Sequence, residues 1–165
     1  MSSSTLNYPL LAIPAYYVFS LLPHGYAGSL LSSNGYKINN TNPKASLSPD
    51  AVKGKVPDAV FQKYQRAENA QSNNMEQMPL FATAVLASVL AERTTARGYG
   101  REVLSGDHAT GLTTFVATWF ALRAAYTVAY VGIGEHEKSF LRSVIWAIGS
   151  GLAGWQIYKA AALLG

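Results

Sequence analysis

Long stretches of this chain carry almost no charge. Tyr8 to Leu31 has none unless His24 is protonated, Ala109 to Gly134 has Arg123 alone, and Ser143 to Gly165 has Lys159 alone. Each window exceeds the ~20 residues that a helix needs to cross a ~30 Å hydrocarbon layer. A fourth, shorter apolar run spans Met78 to Ala91 and follows a strongly polar segment. The mean hydropathy of +0.09 conceals this bunching, because nearly all the charge is gathered into the two longer intervening segments. Three such windows in 165 residues predict an all-α, integral-membrane four-helix bundle rather than a soluble core. By length, residues 1–165 form a single domain.

Composition narrows the chemistry. The absence of cysteine removes disulfides, thiolate nucleophiles and cysteine metal sites, and no metal site is expected from the short, exposed cluster Glu135, His136, Glu137. A net charge of +4 without a basic cluster interleaved with aromatics is no nucleic-acid signature. The first residues, Met-Ser-Ser-Ser-Thr-Leu-Asn, lack a basic region and a small-residue cleavage site, so residues 8–31 read as a retained first span.

The expected spans are about 9–31, 75–92, 109–132 and 141–164. Pro14 and Pro23 should kink the first. Residues 32–57 read as a polar loop whose Asn, Ser and Lys suit either a cover over the site or disorder. The second helix should start near Asp58, reach Glu92, and bend at Pro79. A loop follows over residues 93–108, then a third helix from about Asp107 to Val131. Gly132 to Lys138 make a tight connection to a fourth helix, in which Gly149, Gly151 and Gly154 allow close helix approach. Loops one and three, with their flanks, carry eight Lys or Arg (Lys37, Lys44, Lys53, Lys55, Lys63, Arg66, Lys138, Arg142), against Arg93, Arg97, Arg101 and Lys159 opposite. That asymmetry places loops one and three in the cytoplasm. Glycosylation of the sequon Asn39-Asn40-Thr41 would contradict it.

Three constellations could carry chemistry. On the second helix Arg66, Asn69, Asn73, Glu76 and Gln77 fall within about 100° of one face. Aligned polar groups at a membrane edge need partners or a ligand. Glu76, hemmed by Met75, Met78, Pro79 and Leu80, should pair with a cation, Arg123 foremost, or bind an amine. The third helix aligns Arg123, Tyr126, Thr127 and Tyr130 at i, i+3, i+4 and i+7. The fourth opens on Arg142-Ser143, with Trp146 one turn on. Such an arginine serves as a topology anchor or, beside a bound thiol, lowers its pKa, with Ser143 donating to the sulfur.

These residues resemble the MAPEG family, the membrane-associated proteins in eicosanoid and glutathione metabolism. The resemblance rests on Arg66-Ala67-Glu68 followed by Asn73, Glu76 and Pro79-Leu80-Phe81. It rests further on the run from Arg123 through Tyr126 and Tyr130 to Gly132, and on Leu141-Arg142-Ser143-Val144. It implies a homotrimer that binds glutathione as co-substrate between subunits near the cytoplasmic face. By position, Arg66, Asn73, Glu76, Tyr126 and Tyr130 would line the glutathione site, with Glu76 suited to the α-amine. Arg142 and Ser143 would be catalytic, the arginine stabilising the thiolate. The departures are Asn69 and Ser72, which stand where eicosanoid members carry arginines that clamp glutathione's carboxylates. Lys63 or Arg66 is expected to compensate.

The implied activity is that of a microsomal glutathione transferase or peroxidase acting on a small lipophilic substrate from the lipid bilayer, in the endoplasmic reticulum. Two alternatives share the scaffold. One is a glutathione-independent isomerase or cyclase using Glu76, Tyr130 and Arg142. The other is a non-catalytic scaffold or regulatory protein whose stripe joins subunits.

Overall fold

A computed structural model describes residues 6–98, 110–135 and 139–165. Asp107 at the expected start of the third helix, and His136, Glu137 and Lys138 in the third connection, lie outside these residues. The described residues form helices joined by turns, with no strand among them.

The first helix, α1, runs over Tyr8–Ser33. Asn7 starts it, its side-chain oxygen accepting from the Leu10 backbone N–H at 3.0 Å, with Pro9 where a missing N–H costs nothing. Pro14 and Pro23 lie inside a helix that continues through both.

The first polar segment is folded. It contains two short helices, α2 over Pro43–Ser46 and α3 over Pro49–Val52, each opened by a proline behind an Asn42 or Ser48 cap. Gly35 and Gly54 turn the chain on either side at φ +81° and +72°, where a side chain would be strained. Val52 and Val56 bury against Ala27 and Leu31 of α1 and against Phe61, Tyr64 and Ala67. The Tyr36 hydroxyl donates to the Ser46 carbonyl at 2.5 Å, and the Tyr64 hydroxyl donates to the Leu47 carbonyl. Few apolar residues suffice because each is buried and the backbone polar groups are met locally. The segment thus caps one end of the bundle, and it does not disorder as its composition allowed.

The expected long second helix is two helices, α4 over Asp58–Glu76 and α5 over Met78–Gly98. Pro79 explains the break: it has no N–H for the Met75 carbonyl, and its ring crowds that oxygen. Gln77 closes α4, its N–H reaching the Asn74 carbonyl at 3.2 Å. Helix α6 covers Leu112–Gly132 and α7 covers Phe140–Leu164. The heart of the bundle lies where Ala12 and Tyr16 of α1 meet Phe81 and Val85 of α5, Phe115 and Trp119 of α6, and Ala153 of α7. Tyr16 and Trp119 close on Phe81 with ring centroids 4.9 and 5.2 Å away.

Two expectations require correction. Among the described residues no helix is long and apolar enough to cross a membrane. These windows are long and nearly uncharged, but hydroxyls, amides and phenols dilute them: α6 alone holds Thr113, Thr114, Thr118, Arg123, Tyr126, Thr127 and Tyr130. The small residues of α7 also behave differently from expectation. A methyl group added at Gly149, Gly151 or Gly154 would meet nothing within 4 Å, and Gly151 and Gly154 are exposed, so among the described residues these two are not packed against a neighbouring helix of this chain.

Candidate functional site

Helix α4 packs with a regular buried face: Phe61, Tyr64, Ala67, Ala70, Asn74 and Gln77, spaced by three or four. Asn74 is the polar member at its centre. Its side-chain oxygen accepts from Arg123 Nε at 3.0 Å and Nη2 at 2.5 Å, and its amide donates to Thr127 Oγ1 at 3.1 Å. Its backbone carbonyl accepts from the Tyr16 hydroxyl at 3.0 Å. One asparagine thereby joins α1, α4 and α6.

Arg123 is therefore held by Asn74. The expected pairing with Glu76 does not form. Glu76, the last residue of α4, is exposed, because it lies one turn beyond the exposed Ser72 on the outer face of the helix, away from the face that carries Asn74. Elsewhere on α4 the Glu68 carboxylate meets His24 Nδ1 of α1 at 2.9 Å.

On the outer side of this network α4, α6 and the start of α7 enclose an open cleft of about 480 Å³. Asn73 contributes from α4, Tyr126 and Tyr130 from α6, and Ser139, Arg142, Ser143 and Trp146 from the α7 end. The wall is an array of rings and cations. Arg123 lies over the Tyr126 ring at 4.3 Å, the Tyr126 and Tyr130 centroids are 5.5 Å apart, and Arg142 lies over the Tyr130 ring at 4.5 Å. Guanidinium groups on phenol faces are attracted by the ring quadrupole, which orients all four side chains. Arg142 is steadied further by its Nε, which donates to the Ser139 carbonyl at 3.4 Å. Asn73 spends its amide on the Asn69 carbonyl at 2.8 Å, which leaves its oxygen as the acceptor at the cleft.

Of the residues singled out from sequence, Asn73, Tyr126, Tyr130, Arg142 and Ser143 meet in this one cleft. Arg66 and Glu76 are not in its lining. Arg66 Nε donates to the Val131 carbonyl at 3.1 Å, and its guanidinium lies beside Gly134. It caps the C-terminal end of α6, where free carbonyls and the helix dipole both favour a cation. Lys63 instead places its ammonium 5.6 Å from the centroid of the Tyr26 ring on α1. Neither supplies the cations missing at Asn69 and Ser72, both of which are exposed. The folded cap, residues 34–57, contributes nothing to the cleft lining.

Sequence reasoning missed Asn74 and Ser139. Asn74 was detectable in principle, as an amide at the helical spacing of Ala67 and Ala70, where an unpartnered polar group would be costly. Ser139 carried no comparable signal, since it enters the lining only through the local path of the chain into α7.

The outer surface of the bundle is rich in apolar side chains: Tyr17, Val18 and Leu22 on α1, Leu86 and Leu90 on α5, and Phe140, Trp146, Trp155 and Tyr158 on α7 are all exposed.

The model of the MAPEG family matches residues 11–162 of the chain. No curated protein and no solved structure matches it.

Proposed function

The chain belongs to the MAPEG family, a family of membrane proteins, and on that premise we propose that it is a glutathione-dependent transferase or peroxidase. Glutathione would sit in the cleft between α4, α6 and α7, and a lipophilic electrophile would reach it from the apolar surroundings. The observation that carries the reading is Arg142, its guanidinium 4.5 Å over the Tyr130 ring on the cleft wall, one residue from Ser143. A fixed guanidinium stabilises thiolate relative to thiol, and the thiolate is the nucleophile. In conjugation the thiol proton goes to solvent, a carbon–sulfur bond forms, and the leaving group departs with its electron pair. In peroxide reduction two glutathiones become a disulfide while the peroxide becomes an alcohol and water. Asn73 offers an acceptor, Ser143 a hydroxyl donor to sulfur, and Trp146 an apolar wall. Glu76, exposed at the cleft's margin, suits the glutathione amine in an assembled homotrimer, where a neighbouring subunit would close the open side. The proposed setting is the endoplasmic reticulum, with the α7 start facing the cytoplasm.

Isothermal titration of the detergent-purified protein with glutathione tests this. Binding is expected, with the bound thiol's pKa raised by about 1–3 units in Arg142→Ala and the conjugation of a generic aromatic electrophile falling in parallel. A wild-type protein that binds no glutathione would sink the proposal. A second reading draws on Asn69 and Ser72: without cations there, and with Arg66 and Lys63 engaged elsewhere, the cleft fits an anionic lipophile as its sole substrate, isomerised with Tyr130 and Arg142 as proton-handling and charge-stabilising groups. Turnover of such a substrate without glutathione would distinguish it.

A further inference from the structure

Arg123 is 2% exposed, yet the atom that accepts its hydrogen bonds is the amide oxygen of Asn74, at 3.0 and 2.5 Å. A guanidinium stays charged in a protein, and buried cations ordinarily meet carboxylates. Asn74 accepts from two of its nitrogens and leaves the charge whole. That charge faces the cleft through two rings: Tyr126 at 4.3 Å, then Tyr130, beyond which Arg142 stands. The tyrosine wall is therefore bracketed by two cations, of which only Arg142 is part of the lining.

The charged and titratable groups around Arg123 are few. Tyr16 adjoins it from α1, Tyr126 and Tyr130 come from α6, and Arg142 comes from α7. Glu76 on α4 is a carboxylate in reach of this wall, acting on Tyr126 from an exposed position where water weakens it.

We propose that Asn74 is a specificity-determining residue: by holding Arg123 with a neutral amide, it keeps a positive charge buried behind the Tyr126–Tyr130 wall, and that charge gives the cleft its preference for anionic ligands. The inference rests on the reading of the cleft as an anion site and adds two residues outside its lining. An aspartate at position 74 would accept the same two hydrogen bonds, accept from the Thr127 hydroxyl, and cancel the charge. Geometry and volume would stay; the field would go.

The test is Asn74→Asp in the full chain in detergent, titrated with glutathione. Affinity should fall about three- to tenfold, and the bound thiol's pKa, followed by thiolate absorbance against pH, should rise by about half to one unit. The thermal midpoint should hold or rise, whereas a merely structural role for Asn74 would lower it and leave the pH profile in place. Arg123→Gln removes the charge from the other side and should reproduce the loss, so a poorly folding Asn74→Asp does not end the test. Wild-type affinity and pH profile in either variant would overturn the inference. If the wild type binds no glutathione, the glutathione reading fails separately. The charge is then read from dodecanoate against dodecylamine: the wild type should favour the carboxylate and Asn74→Asp should lose that preference. Equal binding of the two by the wild type would refute it.

Discussion

Tyr64 shows how much one hydroxyl does at the capped end of the bundle. It is buried in the second core cluster and donates to the Leu47 carbonyl, tying the folded cap to α4. Burial, with Glu68 and Tyr36 nearby, pushes its phenol up to about 12 from an ordinary 10.0. A raised folded-state value means that the unfolded phenol ionises first. The cap's stability should therefore hold below pH about 10 and decline between about 10 and 12. Alkaline unfolding followed by hydrogen exchange of residues 36–56 would show it, and Tyr64→Phe should remove that pH step. Arg66 acts at the other side of α4, and Arg66→Ala should cost about 1–2 kcal/mol by freeing the α6 carbonyl end, measurable as a lower unfolding midpoint. At this scale the sequence was readable for types and faces, less so for partners. Arg123 was expected to find a carboxylate because charge complementarity is the simplest rule. Asn74 won because it lies on the buried face of α4 and Glu76 does not.

At the level of elements, α5 and α7 are joined by polar pairs as well as by packing. Gln156 Nε2 donates to Ser88 Oγ at 2.9 Å, and Ser88 in turn donates to the Ala84 carbonyl at 2.8 Å, all of it buried. Ser88→Ala should cost about 1–3 kcal/mol, because it strands the Gln156 amide, and a second change, Gln156→Leu, should recover most of it. Chemical denaturation of the single and double variants separates the two. In α7, alanine at Gly151 or Gly154 meets open space and should raise helix stability by about 0.5–1 kcal/mol each within the chain. A loss of oligomer in the same variants would instead place those glycines between subunits. The helices themselves were legible from apolar windows, prolines and caps. The division at Gln77 was foreshadowed by Pro79, though as a bend rather than a break, since sequence locates a proline and not how far its neighbours relax. The folded cap was not legible, because its core is assembled from residues distant in sequence: Ala27 and Leu31, Val52 and Val56, Phe61 and Tyr64.

For the whole molecule, the family match covers nearly the full chain, and large apolar side chains are exposed on α1, α5 and α7. Native mass spectrometry from detergent should give a trimer; a monomer with intact glutathione binding would show the cleft complete in one chain. Helix α7 runs through the molecule from the cleft to the far end, and its attachments are spread along it. Gln77 accepts from Ser150 at 3.5 Å, Gln156 donates to Ser88, and Lys159 donates to the carbonyl of Thr110, whose N–H donates to the Glu92 carboxylate at 3.3 Å. Each bond permits only one axial setting of α7 against its neighbours. A slide of one turn, about 5.4 Å, would unpair all of them together. Arg142 is thus positioned like the end of a ruler clamped at several marks: its place over Tyr130 is set by registration at Ser150, Gln156 and Lys159, two or more turns further along the helix.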